Sequence, residues 1–275
     1  MNHFGYIQAL CLIVVAGLFQ SCEKNKQNWE IKGTSETGTV VYLYRLIPET
    51  TLVDSAYVDH RKFSFSGENA DERLEPFYLV VDDGAKPGVE CMLGNGDQLK
   101  LQLRSQTLPN FSGTKVADDL NKYYAIKQQE QKQNLDLSQE LTQKRLSDQD
   151  RDLTMISYRE KVQDLENEKI QFLKSIVHPD LNAYLVLKEL QSSGVIEKEV
   201  VDKYRNALSA EGALTNDGIK VHRISDFFEA YALSREIEIL DTATIRERYN
   251  KLDDENKTSV FAKIVEQHLQ NCQPE

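Results

Sequence analysis

The period of the apolar residues changes once along this chain, near Lys115, and that change limits what the chain can fold into. Before it, apolar side chains recur at every second residue in short runs, as a strand with one buried face requires. After it they recur at spacings of three, four and seven, which place them on one face of a helix. A chain of this kind is α+β, with its strands and helices in separate halves.

The first half reads as strands divided by turn signals. Trp29-Glu30-Ile31-Lys32 alternates before Gly33, and Thr39 to Leu46 is rich in β-branched and aromatic residues and ends before Pro48. Leu52 to Val58 and Lys62 to Ser66 read as a hairpin around Asp59-His60-Arg61. Phe77 to Val81, Val89 to Leu93 and Gln98 to Leu103 follow, with Asp82-Asp83-Gly84 and Gly94-Asn95-Gly96-Asp97 as turns. Strands spaced about 8 to 12 residues apart predict an antiparallel β-sandwich or open barrel. Leu99, Leu101 and Leu103 against Lys100 and Gln102 are what a half-buried strand needs.

The second half predicts an all-α bundle. Val116 to Lys132 and a long stretch to Val177 have helical spacing, and Gln128 to Gln149 is polar enough for an extended hairpin arm or a partly ordered linker. His178-Pro179-Asp180 stops that stretch, because proline cannot continue a helix. Leu181 to Leu190 begins another helix, closing at Ser192-Ser193-Gly194. Glu197 to Leu208, Lys220 to Leu240 and Thr242 to Leu252 continue the series. Asp253 or Asp254 is expected to cap the last helix, with Val260, Phe261, Ile264, Val265 and Leu269 on its apolar stripe.

The amino terminus carries an address. Residues 1 to 22 contain no Lys, Arg, Asp or Glu, and Ala9 to Phe19 is an apolar run that gives way to the polar stretch Glu23 to Asn28. That run falls short of the roughly 20 apolar residues a bilayer span needs, and it has the form of a secretory signal. Leu18-Phe19-Gln20-Ser21-Cys22 resembles a lipobox, with Phe19 and Gln20 as loose matches. The resemblance implies cleavage before Cys22 and acylation of that cysteine. More than one long chain would anchor the protein stably, each buried methylene contributing about 0.8 kcal/mol. The expected plan is a signal peptide over 1–21, a lipidated tether over 22–27, a β-sandwich domain over 28–114, and a helical domain with a long polar arm over 115–275.

The formal net charge of −11 lies wholly outside the signal. Such an acidic chain is a poor match for nucleic acid, and it has no electrostatic grip on anionic lipid. The lipid on Cys22 must then supply membrane attachment. Cys11 falls in the signal, which leaves Cys91 and Cys272. An oxidising periplasm would join these two only if the fold brought their α-carbons within bonding reach. A strand cysteine among apolar neighbours otherwise reads as inert core.

Several blocks of the first half carry a family resemblance. Val41-Tyr42-Leu43-Tyr44, Leu52-Val53-Asp54-Ser55-Ala56, Phe63-Ser64-Phe65-Ser66-Gly67, Phe77-Tyr78-Leu79-Val80, Gly96-Asp97-Gln98-Leu99 and Phe111-Ser112-Gly113-Thr114 resemble successive parts of one domain. That domain of unknown function stands at the amino terminus of many Gram-negative lipoproteins that end in a thioredoxin-like or peroxiredoxin-like oxidoreductase. The helices after it are similar to the helical spacer of the same proteins. A redox domain would bring Cys-x-x-Cys at a helix amino terminus, where the thiolate is stabilised. No two cysteines here have that spacing, so the activity does not carry over.

Other constellations read as structure. Gly94-Asn95-Gly96-Asp97 lacks the Lys-Ser/Thr of a phosphate loop and is explained by a hairpin turn. Asp82-Asp83 and Asp253-Asp254-Glu255 lack the alternating ligands of a calcium loop. His60, His178, His222 and His268 show no zinc spacing, and Gly-x-Ser-x-Gly is absent. Tyr42, Tyr44, Tyr57, Phe63, Phe65, Phe77 and Tyr78 suit a sugar or peptide groove, but at strand spacing they read first as sandwich core. Tyr123-Tyr124 and Phe227-Phe228 read as helix packing.

No catalytic residue, cofactor or metal site is assigned, and Cys22 is the one site residue, for lipid attachment. The chain is expected to be lipid-anchored to the cell envelope, at the outer membrane facing the periplasm or the surface. The leading functional expectation is a non-catalytic binding or scaffold module for a protein, peptide or glycan partner. An accessory or remnant of a thiol-disulfide system, and an unrecognised hydrolase, are the alternatives.

Overall fold

The computed structural model describes residues 28–47, 49–82, 88–103, 108–143, 147–192 and 197–272. The signal segment, Cys22, the tether, Asp83-Gly84 and Ser193-Gly194 lie outside the described residues. The chain divides into two compact units between Asp118 and Asp119.

The amino-terminal unit contains eight strands: β1 Trp29–Ser35, β2 Val40–Arg45, β3 Thr51–Tyr57, β4 Lys62–Gly67, β5 Glu75–Val81, β6 Val89–Leu93, β7 Gln98–Leu103 and β8 Asn110–Ser112. They form two four-stranded sheets, ordered β4-β1-β7-β8 and β3-β2-β5-β6, and so a sandwich-like arrangement. The alternation read from sequence fixes which side chains meet between them. Trp29 and Ile31 of β1, Phe63 and Phe65 of β4, Leu99 and Leu101 of β7, and Phe111 of β8 are buried in the first sheet. Val41, Leu43, Phe77, Leu79 and Leu93 are buried in the second. Burying one such side chain contributes about 1.5–3 kcal/mol.

Three connections differ from the expected simple hairpins. β1 and β7 run parallel, whereas the other pairings are antiparallel. Parallel neighbours need a long crossover, and the excursion through β2 to β6 supplies it. The turn at Asp59-His60-Arg61 forms, with a bridge between Asp59 and Lys62 and positive φ at His60 and Arg61 (47° and 64°), but its strands part at once. β3 joins β2 in one sheet and β4 joins β1 in the other. Gly94-Asn95-Gly96-Asp97 likewise leads from one sheet to the other, from β6 to β7. Asp97 Oδ2 accepts from the Gly94 N–H at 2.8 Å to close that turn.

A buried polar hub joins the sheets. Trp29 Nε1 donates to Asn69 Oδ1 at 2.9 Å, and Asn69 Nδ2 donates to the carbonyls of Leu93 (2.6 Å) and Arg73 (3.1 Å). The Trp29 ring meets Phe77 of the opposite sheet edge-on, 5.1 Å between centroids. Space for these rings is bought with glycine. A Cβ on Gly67 would stand 2.4 Å from Trp29, and one on Gly33 would stand 2.0 Å from Phe63.

The carboxy-terminal unit is helical: α1 Ala117–Gln143, α2 Asp148–Ser175, α3 Pro179–Ser192, α4 Lys198–Arg205, α5 Asn216–Asp226, α6 Phe228–Glu236, α7 Thr242–Lys251, α8 Asp254–Thr258 and α9 Val260–Asn271. Ser147 caps α2, its side chain accepting from the Asp150 N–H. Pro179 opens α3, where its missing N–H would have had no helical partner. Asn182, buried at the start of α3, donates to the carbonyls of Leu173 and Ala207 and accepts from the Ser209 N–H, tying three segments together. Leu233, Ile245, Val265 and Leu269 belong to the core between α6, α7 and α9.

Three helical expectations are corrected. The stretch Lys220 to Leu240 is broken at Phe227, whose backbone (φ −110°, ψ 41°) leaves the helical region between α5 and α6. Asp253 caps the short α8, and Ser259 rather than an aspartate caps the last helix. Val260 and Ile264 of the expected stripe are exposed, while Ala262, Val265 and Leu269 carry the buried face.

Because Trp29 is the single tryptophan, its fluorescence reports the amino-terminal unit alone. Asn69→Ala strands the indole N–H and the Leu93 carbonyl in the core and frees the Arg73 carbonyl. It should cost about 2–4 kcal/mol, each buried unpaired group contributing roughly 1–3 kcal/mol. Chemical denaturation followed by both signals checks this. The Trp29 transition should move to lower denaturant while the helical ellipticity transition stays in place, and an unmoved Trp29 transition would refute the hub.

Candidate functional site

The outer face of the β4-β1-β7-β8 sheet is shaped by the same alternation that builds the core. With Trp29, Ile31, Leu99 and Leu101 turned inward, Lys32, Thr34, Lys100 and Gln102 must point outward. The register aligns them in rows: Ser64, Lys32, Lys100 and Ser112 are successive partners across the four strands, and Lys62, Thr34, Gln102 and Asn110 form the next row. These residues line a concavity of about 1100 Å³. One wall comes from Ala56, Tyr57, Asp59 and His60, at the end of β3 and the turn after it.

The wall has two unusual features. Tyr57 is 83% exposed, an aromatic ring with little cover of its own. The adjacent residues His60 and Arg61 both occupy the left-handed region without being glycine, a conformation that costs roughly 1–2 kcal/mol per residue. Positive φ at both central residues is what a two-residue turn between bridged Asp59 and Lys62 requires. His60 Nδ1 lies 2.7 Å from Asp59 Oδ1 on the rim.

The face gathers lysines on an acidic protein. Its lining includes Lys32, Lys62 and Lys100 against one carboxylate, Asp59. Lys32 and Lys100 are direct partners in the register, an arrangement that is unfavourable for like charges. Glu30, itself half-buried, answers the exposed Lys32 at 2.8 Å. Lys62 and Lys100 form no ion pair among the described residues.

The residues singled out by sequence scatter. Phe63, Phe65 and Phe77 are core, whereas Tyr57 stands on the concave face. Cys91 and Cys272 are both free. Burial pushes the Cys91 thiol far above its ordinary value, so it holds its proton. Cys272 is exposed at the end of α9, with its Sγ 3.6 Å from His268 Nε2. Asp82 accepts from the hydroxyl and N–H of Thr39 (2.6 and 2.8 Å), which hold its carboxyl below the usual range. Among the described residues, no three His, Cys, Asp or Glu side chains gather as a metal site would require. The lysine rows were not recognised from sequence, because the partners of a strand are invisible until register is known.

The helical unit holds a second cluster, and its partners mark it as structural. Lys169 Nζ lies 2.8 Å from Glu130 Oε1, 2.7 Å from Glu166 Oε2 and 2.9 Å from Glu189 Oε2. Tyr123 donates to Glu189 Oε1 at 2.6 Å, and Lys127 Nζ lies 2.6 Å from Glu130 and 3.2 Å from Glu189. Burial opposes both charges at the centre. Glu189 and the surrounding groups nevertheless hold the Lys169 ammonium above its ordinary value, and Lys169 and Lys127 hold the Glu189 carboxyl below its own. Each charge is answered by a neighbour, and the cluster fastens α1, α2 and α3 at the root of the α1–α2 arm.

Residues 28–120 match the model of the family described as Domain of unknown function (DUF4369), so the amino-terminal unit carries that domain. No curated protein matches the chain.

The buried cluster sets the behaviour of the helical unit. Lys169→Met removes one partner of a buried pair and should destabilise that unit by about 3–5 kcal/mol at neutral pH. Glu189, held below its ordinary 4.5, contributes stability that is present above that pH and lost as pH falls through its folded value. Lys169, held above its ordinary 10.5, contributes stability that is present below that pH and lost only as pH rises through its folded value. Helical unfolding measured from neutral to acid pH should show a falling limb below about 4.5 that Glu189→Gln flattens. An unchanged acid limb would show that the pair does not hold the bundle.

Proposed function

We propose that this chain is a non-catalytic lipoprotein of the cell envelope, tethered by acyl chains on Cys22. Its amino-terminal unit binds a polar partner on the outer face of the β4-β1-β7-β8 sheet. The observation that carries this reading is the open concavity of about 1100 Å³, whose floor includes the lysine, hydroxyl and amide side chains that strand geometry forces outward. The strand backbone behind this face is held by ladder hydrogen bonds, so binding orders side chains rather than main chain.

Catalysis has less support at this face. Its titratable groups are three lysines, an exposed Asp59–His60 pair and Tyr57, without a nucleophile set beside a base. Thiol chemistry by the chain's own cysteines is disfavoured by a buried, protonated Cys91 and a Cys272 with no cysteine beside it. The lipid tether rests on the apolar run Ala9 to Phe19 and the Ser21-Cys22 junction.

Two measurements check the reading. Metabolic labelling with a fatty acid should mark the wild type and leave Cys22→Ser unlabelled, and labelling of the variant would remove the tether. The pair Thr34→Trp and Ser112→Trp fills the concave face from exposed positions and should leave the fold intact by circular dichroism. Affinity electrophoresis of the detergent-solubilised full chain through neutral dextran, polygalacturonate or dextran sulfate should show retardation that the pair of tryptophans abolishes. Equal retardation of both proteins would place binding elsewhere.

A further inference from the structure

We infer that the ligand of this face is an acidic polysaccharide, one whose sugars bear carboxylate or sulfate groups. The inference rests on the proposed binding role of the face and adds to it the chemistry of the occupant. Three observations carry it: an excess of positive charge, the spacing of that charge, and the polar groups between.

Lys62 and Lys100 stand on this face with no ion pair among the described residues, and an anion would answer both. In a chain of net charge −11, free lysines are expected to lie beside surplus carboxylates. Here Lys62 and Lys100 share the concavity with Asp59 as the one carboxylate of its lining, and Lys32, which Glu30 answers at 2.8 Å, is the register partner of Lys100. Such partners sit about 5 Å apart in backbone, and positions two apart along a strand about 7 Å. Lys62 is two positions along β4 from Ser64, the partner of Lys32, so the three lysines spring from neighbouring points of one backbone grid. An anionic polymer with a charge on successive units meets several of them at once. A single small anion would engage them less fully.

The groups between the lysines favour sugar over peptide. Ser64, Thr34, Gln102 and Asn110 offer hydroxyls and amides that both donate and accept, as sugar hydroxyls do. A peptide added to a sheet gains its affinity from backbone bonds at an edge and from pockets for alternate side chains. On this face the backbone groups of β1 and β7 are already engaged on both sides by neighbouring strands. Tyr57, the exposed ring on the wall, gives an apolar surface for the C–H face of a sugar, with a hydroxyl at its tip.

The test uses the detergent-solubilised full chain in native gels containing polygalacturonate, dextran sulfate, neutral dextran or poly-L-glutamate. The acidic polysaccharides should retard the wild type well beyond neutral dextran and poly-L-glutamate. The two acidic gels show whether carboxylate or sulfate is the recognised group. Lys32→Gln, Lys62→Gln and Lys100→Gln together should weaken retardation about tenfold, since each is an exposed ionic contact of modest strength. Raising the salt from low to about 0.5 M should weaken wild-type binding as well, because exposed charges are screened. Trp29 fluorescence verifies that the triple variant is folded. Poly-L-glutamate retarding as strongly as polygalacturonate would overturn the assignment to sugar. Neutral dextran retarding the wild type and triple variant alike, with Thr34→Trp and Ser112→Trp abolishing it, would overturn the acidic ligand and keep the face. Retardation by none of the polymers would overturn both.

Discussion

Strand β1 decides both surfaces of the amino-terminal unit. It lies between β4 and β7, so every second residue enters the core and every other one enters the concave face. Trp29 and Ile31 cannot be buried without turning Glu30, Lys32 and Thr34 outward. The indole of Trp29, pinned by Asn69 and set against Phe77, keeps that register from slipping by one residue. A slip would place Lys32 in the core and Ile31 in solvent, at a cost no surface contact offsets. The face that presents Lys32 beside Lys100 is therefore a consequence of the core.

The helical unit is held differently. Its root between α1, α2 and α3 is fastened by a buried cluster of glutamates and lysines, whereas α6, α7 and α9 meet through aliphatic side chains. Charges in that position are costly to bury, and Lys169 is the one that meets all three of Glu130, Glu166 and Glu189, so removing it leaves only Lys127 to answer Glu130 and Glu189. Beyond the cluster the arm formed by α1 and α2 is mostly solvated, and Leu135, Leu153 and Ile156 are more than half exposed. Direction is set at the root, where Tyr123 and Lys127 of α1 reach Glu189 of α3.

Much of the fold was legible in the sequence, because periodicity is a local property. The alternation at Trp29 to Lys32 and at Gln98 to Leu103 marked strands, and Pro179 marked a helix boundary with a steric reason behind it. Partnership was not legible. Nothing local to Leu52 to Val58 says that β3 leaves β4 for β2, and nothing local to β1 says that β7 lies parallel beside it. The break at Phe227 was hidden too, since Phe227-Phe228 has no glycine or proline to announce it. The site fell in the same gap: Lys32, Lys62 and Lys100 are 30 to 68 residues apart and become neighbours only through register. Tyr57 was among the aromatics singled out, but only the fold separates it from Phe63 and Phe77.

The central claim is that the outer face of the β4-β1-β7-β8 sheet receives a ligand, and backbone amide chemical-shift mapping with an oligogalacturonate tests it most directly. Binding at this face should give shifts that grow with ligand and concentrate at Lys32, Thr34, Ser64, Lys100 and Ser112 and along the wall from Tyr57 to His60. Shifts confined to the helical unit or to the β3-β2-β5-β6 sheet, with the lysine rows unmoved, would contradict it.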